Sequence, residues 1–385
     1  MDSKISSDVD KSLDAEKNIL KPASPPGEIL AEPWTWKRIP ILVGFIVLGL
    51  GLVAMIITLP IVLRKHSHII EDAIPDNKND PTHPLLVLNN FPDPGLVEHN
   101  GTWYAFGTNP KKDDPTVYPH VQIAVSRDFK HWNLTGLDAL PTLAPWERNR
   151  NHWAPDVIQR DDGKFVLYYS GELKKWQNHH CVGVAVSNDT NPLGPYHPQE
   201  KPLACPLQYG GAIDPSPFRD TDGKLYVAYK ADGNSVGHGG DCNNGKKPLV
   251  PVPIMLQELE SDGITPVGDP VEILNIDKSD GPLVEAPNIY RSEEGIYFLF
   301  FSSHCFTSPL YDIKYATSKS LKGPYVRARR ALLKTPDYGL VSPGGATVSR
   351  DGTKMVFHAN CGSKRCMYVA GINIHSNLTI TFDTI

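Results

Sequence analysis

The sequence predicts an all-β fold, a five-bladed β-propeller preceded by a single N-terminal transmembrane helix. Three observations predict it: a hairpin pattern that recurs five times, a further strand-like segment after each hairpin, and one uncharged apolar run near the N-terminus. The 385 residues suffice for one large or two ordinary domains, and 40% hydrophobic with 21% charged residues is typical of a globular protein. The 35 prolines and 31 glycines favour many turns and short strands over long helices.

The apolar run extends from Ile39 to Leu63, 25 residues without a charge. A bilayer-spanning helix needs about 20 such residues. A signal peptide is the alternative, but its apolar core usually has about 7–15 residues, so the run favours an uncleaved anchor. The chain therefore divides into a disordered cytoplasmic tail (1–38), an anchor (39–63), a stalk or linker (64–84) and a propeller domain (85–385).

The orientation of the anchor is indicated by residues that follow it. Basic pairs flank the run on both sides, so the positive-inside rule does not decide. All six cysteines and all four Asn-x-Thr sequons come after the anchor, which predicts a single-pass type II protein with a lumenal or extracellular domain. Six cysteines allow 15 pairings, of which the short loop "CGSKRC" favours Cys361–Cys366. The sequons are at Asn100, Asn133, Asn188 and Asn377.

The repeated element is a glycine-centred turn followed by an alternating aromatic and β-branched run, as in "TDGKLYVAYKA". Such a turn is a strong hairpin signal. An apolar segment precedes each turn, a third strand-like segment follows, and we expect a fourth strand in each repeat. Repeats with about four strands are typical of propeller blades, and five matched copies disfavour a β-sandwich with coincidental hairpins. The turn glycines are Gly101, Gly163, Gly223, Gly295 and Gly352.

The segment before each turn carries an acid in four of the five blades. In a propeller the first strand of each blade lines the central channel, so these acids are expected at one channel mouth. A protonated and an ionised carboxyl together are what hydrolysis of a glycosidic bond requires. Any single Asp-Pro is ordinary turn chemistry, and a calcium site built from carboxylates is the other functional interpretation. Aligned on their prolines, the acids are Asp93, Asp156, Asp214 and Glu285.

Four motifs resemble those of family 43 glycoside hydrolases, from about Asn89 to the C-terminus. They read "NNFPDPGLVEHNGTWYAFGT", "HWAPDVIQ", "AIDPSPFRDTDGKLYVAY" and "VEAPNIYR", one in each of the first four blades. In the fourth, a glycine often follows the glutamate in the family, and Ala286 stands here. The invertase-like enzymes on the same fold carry Asn-Asp-Pro, Arg-Asp-Pro and Glu-Cys motifs, whereas the matching positions here read Pro92-Asp93, Ile213-Asp214 and Glu285-Ala286.

The resemblance implies a role for three of the acids. Asp93 corresponds to the general base that activates water, and Glu285 corresponds to the general acid. Asp214 corresponds to a residue that raises the pKa of that acid and orients it. The family inverts configuration, which predicts a base–acid separation of roughly 6.5–9.5 Å, with room for a water molecule.

The resemblance also implies roles around the substrate. Phe91 and Trp153 are expected to stack on sugar rings, and Asp156 to support the substrate floor or blade packing. His304 is expected at the pocket rim. His358 matches a histidine that faces a structural calcium ion or its waters in the channel, whereas the chemistry itself needs no cofactor.

The predicted function is therefore a membrane-anchored glycosidase for α-L-arabinofuranosyl or β-D-xylosyl linkages of hemicellulose or pectin side chains. Arabinan leads, because many xylosidases of the family append a β-sandwich and this chain ends with its fifth blade. A non-catalytic carbohydrate-binding surface propeller is the alternative. The net charge of −5 lacks the basic character that is typical of nucleic-acid-binding proteins. We expect a monomer whose partners are an oligosaccharide or polysaccharide and, through residues 39–63, a membrane.

Overall fold

The structure, a computed structural model, describes residues 83–109 and 119–385. The predicted tail (1–38), the predicted anchor (39–63) and nearly all of the predicted stalk lie outside the described residues. Over the two described ranges, no helix is long and apolar enough to cross a membrane. These ranges form five β-sheets, which confirms the predicted five-bladed propeller.

The strands are grouped by blade. Four blades contain four consecutive strands each: β2–β5 (Gly95–His99, Thr102–Thr108, Val121–Ser126, Asn133–Asp138), β6–β9 (Trp153–Gln159, Phe165–Glu172, His180–Ser187, Tyr196–Pro198), β10–β13 (Ala212–Arg219, Leu225–Ala231, Ile254–Leu259, Pro266–Leu274) and β14–β17 (Val284–Arg291, Tyr297–Ser303, Asp312–Ser318, Val326–Arg327). The fifth blade combines β18–β21 (Gly344–Val348, Lys354–Cys361, Lys364–Ile374, Ile380–Asp383) with β1 (Leu85–Leu88).

Closure of the ring comes from the N-terminal strand. Strand β1 pairs with β20, so the first described strand and the last share one edge of the fifth blade. The segment before each hairpin is the first strand of its sheet, and these first strands contact one another around the centre. The helical elements among the described residues are short 3₁₀ turns, at Leu207–Tyr209, Gly233–Val236, Asp241–Asn243 and Asp337–Gly339.

The five predicted hairpin turns all join the first strand of a blade to the second. Their glycines have φ between 71° and 86°, a left-handed conformation that glycine adopts without steric cost. The turns therefore define one face of the disc, which we call the hairpin face. The opposite face, where the first strands begin, is called the mouth face.

The two faces carry different chemical features. Three disulfides lie on the mouth face, including the predicted Cys361–Cys366 bridge, which the structure confirms. The bridge Cys242–Cys305 ties the long insertion after β11 to the loop after β15 in the next blade. All four sequon asparagines are exposed in turns or at strand ends on the hairpin face.

Apolar side chains pack between neighbouring blades. The second strands are almost wholly buried, and their aromatic residues fill the clusters that join one blade to the next. The aromatic and β-branched runs seen in the sequence are these second strands, which are covered by neighbours on both faces. This packing fixes the positions at which the first strands begin.

Candidate active site

One unusual backbone conformation recurs where the first strands begin. A single residue in each blade has a left-handed φ between 43° and 60°, and in four blades the pairing with the second strand shifts there, as at a β-bulge. Such a conformation costs a non-glycine residue free energy and is concentrated at functional sites. The five residues are Asp93, Ala154, Asp214, Ala286 and Gly345.

This shared conformation agrees with the alignment on the prolines, because in four blades the left-handed residue directly precedes Pro94, Pro155, Pro215 or Pro287, but it shows that the four acids are not at equivalent positions. Asp93 and Asp214 occupy equivalent positions, but Glu285 lies one residue before the left-handed position and Asp156 lies two residues after it. The four acids therefore do not form one ring. The left-handed φ of Ala286, 51°, also gives the physical reason why glycine suits the residue after this glutamate.

The left-handed residues are linked around the channel by hydrogen bonds. Each donates its backbone N–H to a side chain of the preceding blade. In four cases the acceptor is on the second strand of that blade. At the equivalent position of its second strand, the third blade has Lys230, whose ammonium group cannot accept a hydrogen bond. The carboxylate of Asp214 therefore accepts the N–H of the next blade instead. The bonds are Asp93 to His358 Nδ1 (3.2 Å), Ala154 to Thr108 Oγ1 (2.8 Å), Asp214 to Ser170 Oγ (2.9 Å), Ala286 to Asp214 Oδ2 (3.0 Å) and Gly345 to Ser302 Oγ (2.9 Å).

Asp93 is held as a carboxylate by two hydrogen-bond donors. Arg365 Nη1 donates to Oδ1 at 2.7 Å, and Thr108 Oγ1 donates to Oδ2 at 2.7 Å. Burial raises the pKa of Asp93, but the Arg365 charge and the hydrogen bonds outweigh burial and hold that pKa below its usual 3.8. Asp93 is therefore ionised at neutral pH, as a general base must be.

Glu285 is buried and receives two donors. Lys230 Nζ lies 3.1 Å from Oε2, and Tyr311 OH donates to Oε1 at 2.8 Å. Burial, together with the charge of Glu285, raises the pKa of Tyr311 well above 10, so its hydroxyl keeps the proton. Both carboxyl oxygens of Glu285 are thus fixed in position before any substrate arrives.

Asp214 differs from Asp93 although the two share a backbone position. Burial, followed by the charge of Glu285, raises the pKa of Asp214 to about 8. The charge of Lys230 and the hydrogen bond from the Ala286 N–H oppose this rise but do not cancel it. At neutral pH the Asp214–Glu285 pair therefore retains one proton, while Asp93 has none.

The two residues predicted to stack on sugar rings, Phe91 and Trp153, differ in their exposure. Phe91 has no exposed surface and packs in the core with Gly107 against its ring, so the stacking role predicted for it is wrong. Trp153 is half-buried at the start of β6 and stacks on His180, with ring centres 3.7 Å apart. One face of the Trp153 ring is thus covered by protein.

Asp156 lies deeper in the channel than the three other acids. Ser216 Oγ donates to its Oδ2 at 2.9 Å, and Asn288 in turn donates to Ser216 at 3.0 Å. Burial raises the pKa of Asp156 to about 7. Together with Asn288 it lines a cavity of about 830 Å³ that is bordered by hairpin-face residues. This location fits blade packing at the channel floor.

The two predicted histidines are near the mouth. His304 is half-buried after β15, with its Nδ1 3.0 Å from Ser303 Oγ. His358 is fully buried, and burial lowers its pKa to about 3, so the ring is neutral. Because His358 Nδ1 accepts the Asp93 N–H, the ring proton is on Nε2, which has no hydrogen-bond partner among the described residues.

These observations bear on the predicted calcium ion. An Nε2–H group is a donor and does not ligate a cation directly. The described residues also contain no group of three or more His, Cys, Asp or Glu side chains placed to hold a metal. The residues present therefore do not fit a directly ligated ion, and the calcium ion stays a prediction.

Several residues of the site were not predicted. Each of these residues contacts Asp93 or Glu285, and nothing in the local sequence around them marks chemistry: Thr108, Lys230, Tyr311 and Arg365. Phe306 lies beside Arg365, whose guanidinium is 5.1 Å from the ring centre. It is one of three exposed aromatic side chains in the described ranges, all in mouth-face loops: Trp176, Tyr209 and Phe306.

One ionised and one protonated carboxyl at the same channel mouth are what hydrolysis of a glycosidic bond requires. The family model "Glycosyl hydrolases family 43" matches residues 83–372, and the chain belongs to this family. The structure is similar to that of a thermostable family-43 glycoside hydrolase, with a TM-score of 0.64, 25% identity, and coverage of 78% of this chain and 95% of the other.

Two relatives carry names of enzymes. The extracellular endo-alpha-(1->5)-L-arabinanase of Thermotoga petrophila is 28% identical over 265 residues, which are 60% of this chain and 50% of that protein. A putative beta-xylosidase of Escherichia coli is 33% identical over 155 residues, 39% of this chain and 26% of that protein. The chain thus spans half or less of the length of these two relatives.

Proposed function

We propose that this chain is a glycosidase that hydrolyses α-L-arabinofuranosyl or β-D-xylosyl linkages with inversion of configuration. One observation carries the proposal. An ionised Asp93 lies at the same channel mouth as Glu285 and Asp214, and burial of Asp214, followed by the charge of Glu285, raises the pKa of Asp214 to about 8. Hydrolysis of a glycosidic bond with inversion needs one base and one protonated acid.

In the proposed mechanism, Asp93 takes a proton from a water molecule as the water attacks the anomeric carbon. Arg365 and Thr108 hold the carboxylate of Asp93 in place, and His358 fixes its backbone through the Asp93 N–H. Glu285 delivers the proton of the Asp214–Glu285 pair to the leaving oxygen. Asp214 is the group that keeps this proton available at neutral pH, since its pKa lies above 7.

The arabinofuranosyl linkage is the better supported substrate. The relative with the longer alignment is named an endo-arabinanase, although a β-xylosidase is also among the relatives. The long insertion "KADGNSVGHGGDCNNGKKPLVP" begins at the end of β11 on the mouth face, where it can decide between endo and exo action. Its disulfide to Cys305 fixes it beside the loop that carries Phe306.

We also propose that the propeller lies outside the cytosol, in a type II membrane protein anchored by residues 39–63. Three disulfides and four exposed sequons support this location, because disulfides and glycans form in the secretory pathway. The arabinanase relative is named as extracellular.

The experiment is release of p-nitrophenol from the α-L-arabinofuranoside and the β-D-xyloside, together with release of oligosaccharides from linear arabinan. The wild-type protein is compared with Glu285→Gln and Asp93→Asn, which preserve the shape of the side chains. We expect turnover on at least one pentoside and a loss of about 10²-fold or more in each variant. Binding of arabinan without turnover by the wild-type protein would instead support the non-catalytic propeller.

A further inference from the structure

A fully buried lysine lies at the candidate active site. Lys230 has no exposed surface, and lysine is almost never fully buried unless it is paired. Its Nζ is 3.1 Å from Glu285 Oε2 and 3.4 Å from Asp232 Oδ1. In the other four blades the equivalent place around the channel is taken by threonine, serine or histidine, so a charge here is peculiar to the third blade.

Three carboxyl groups surround this single ammonium group. Burial, which lowers the pKa of Lys230, is outweighed by the charges of Glu285, Asp232 and Asp214, so that pKa lies above its usual value. Lys230 is therefore always charged in the working pH range. Burial raises the pKa of Asp232, which leaves three buried acids competing for one cation.

Charged and titratable groups reach this cluster from every neighbouring element. Tyr311 donates to Glu285 from the loop before β16, and the charge of Asp93 acts on Asp214 from the first blade. The groups that face the cluster are Asp214 on β10, Asp232 after β11, His179 before β8, Glu285 on β14, Tyr311 before β16, and Asp93 with its partner Arg365.

We propose that Lys230 is a positioning residue, which holds Glu285 for proton delivery, and that the division of its charge between Glu285 and Asp232 sets the protonation of the Asp214–Glu285 pair. Lys230 contacts neither the substrate nor the attacking water in this proposal. It acts through Glu285, and Asp232 acts through Lys230. The catalytic part of the inference rests on the proposed glycosidase function, whereas the electrostatic part does not.

Replacement of Lys230 and replacement of Asp232 give opposite predictions. Lys230→Met removes the cation, so the Asp214–Glu285 pair holds its proton more tightly and the basic limb of kcat/KM moves to higher pH. Asp232→Asn removes a competing carboxylate, so the basic limb moves to lower pH. A charge within about 4–6 Å shifts a carboxyl pKa by about 1–3 units, so each shift should be measurable.

Turnover gives a second readout. At pH 7, kcat of Lys230→Met should fall on the order of tenfold to hundredfold, because Glu285 loses one of the two donors that orient it. Lys230→Arg retains the charge and should keep the basic limb near its wild-type position. Lys224→Met is the matched control. Lys224 is an exposed lysine that directly precedes β11, the strand of Lys230, and it forms an ion pair with Glu258. Its removal should leave both limbs of the pH profile and kcat unchanged.

The deciding experiment is an infrared titration of the full-length protein, which follows the C=O band of protonated carboxyl groups against pH. The band that disappears in Asp214→Asn identifies the pair. We expect its midpoint to rise in Lys230→Met and to fall in Asp232→Asn. If both midpoints stay at the wild-type value, or both move in the same direction, the inference about Lys230 is wrong.

This readout separates the inference from the proposed function. A wild-type protein that turns over pentosides but shows no opposite shifts would overturn the role of Lys230 and leave the glycosidase intact. A protein without turnover that shows the opposite infrared shifts would overturn the proposed function and retain the electrostatic role of Lys230.

Discussion

Replacement of Arg365 by methionine tests how the site keeps Asp93 ionised. The guanidinium donates to Asp93 Oδ1 at 2.7 Å, and the two side chains are only 25% and 18% exposed. Opposite charges about 4 Å apart attract by about 4 kcal/mol at an effective dielectric constant of about 20. That energy corresponds to about three pKa units, and partial exposure to water reduces it to about 1–2 units.

The sign follows from the role of the base. Asp93 must be ionised, so activity is lost as pH falls through its pKa, which the structure holds below 3.8. Without Arg365 that pKa rises, and the acidic limb of kcat/KM should move up by about 1–2 pH units. The basic limb depends on the Asp214–Glu285 pair and should move much less.

The assay is kcat/KM against pH on the best pentoside substrate, with Lys364→Met as the matched control. Lys364 is the preceding residue in the same disulfide loop, but it is exposed and has no contact with Asp93. The control should keep the wild-type acidic limb. An Arg365→Met profile whose acidic limb coincides with that of the wild-type protein would refute the assignment of Asp93 as the base held by Arg365.

Three further predictions concern the mouth face and the hairpin face. Substitution of both Cys361 and Cys366 by serine should move the acidic limb of the kcat/KM pH profile in the same direction as loss of Arg365, but by less, because the bridge closes the loop that carries this arginine. An unchanged acidic limb would show that the loop is held in place without the bridge. Phe306→Ala should raise KM for arabino-oligosaccharides about fivefold with little change in kcat, corresponding to about 1 kcal/mol of aromatic contact, whereas Leu378→Ala on the hairpin face should change neither value. When the protein is produced in a eukaryotic secretory host, treatment with an N-glycosidase should lower its mass, and a mass that this treatment leaves unchanged would contradict the proposed location. Substitution of the four sequon asparagines by glutamine should abolish the change in mass. The same substitution should not alter kcat/KM, because all four asparagines lie on the face opposite to the site.

Much of the fold follows from local sequence. The Asp-Gly and related turns need glycine at a left-handed position, and the aromatic runs after them must be buried on both faces, so each hairpin could be recognised on its own. Repetition then gave the number of blades. The channel-mouth location of Asp93, Asp214 and Glu285 followed from the pseudo-symmetry of the blades.

The contacts that set the chemistry are not local. Arg365 reaches Asp93 across 272 residues, and Lys230 reaches Glu285 across 55, so neither pair leaves a signal in its own segment. Phe91 precedes Asp93 by only two residues, but its ring is buried in the core and does not reach the channel mouth. Glu285 precedes its proline by two residues, whereas Asp93 and Asp214 directly precede theirs, so the proline alignment already contains the one-residue offset of Glu285 that the structure shows.

The most direct test of the central claim is proton NMR of the first anomer released from p-nitrophenyl α-L-arabinofuranoside, recorded before mutarotation. An ionised Asp93 that activates water across the sugar from a protonated acid predicts inversion, so β-L-arabinofuranose should appear first. Initial formation of the α-anomer would mean retention through a covalent intermediate, and would contradict the assignment of Asp93 as a base that activates water.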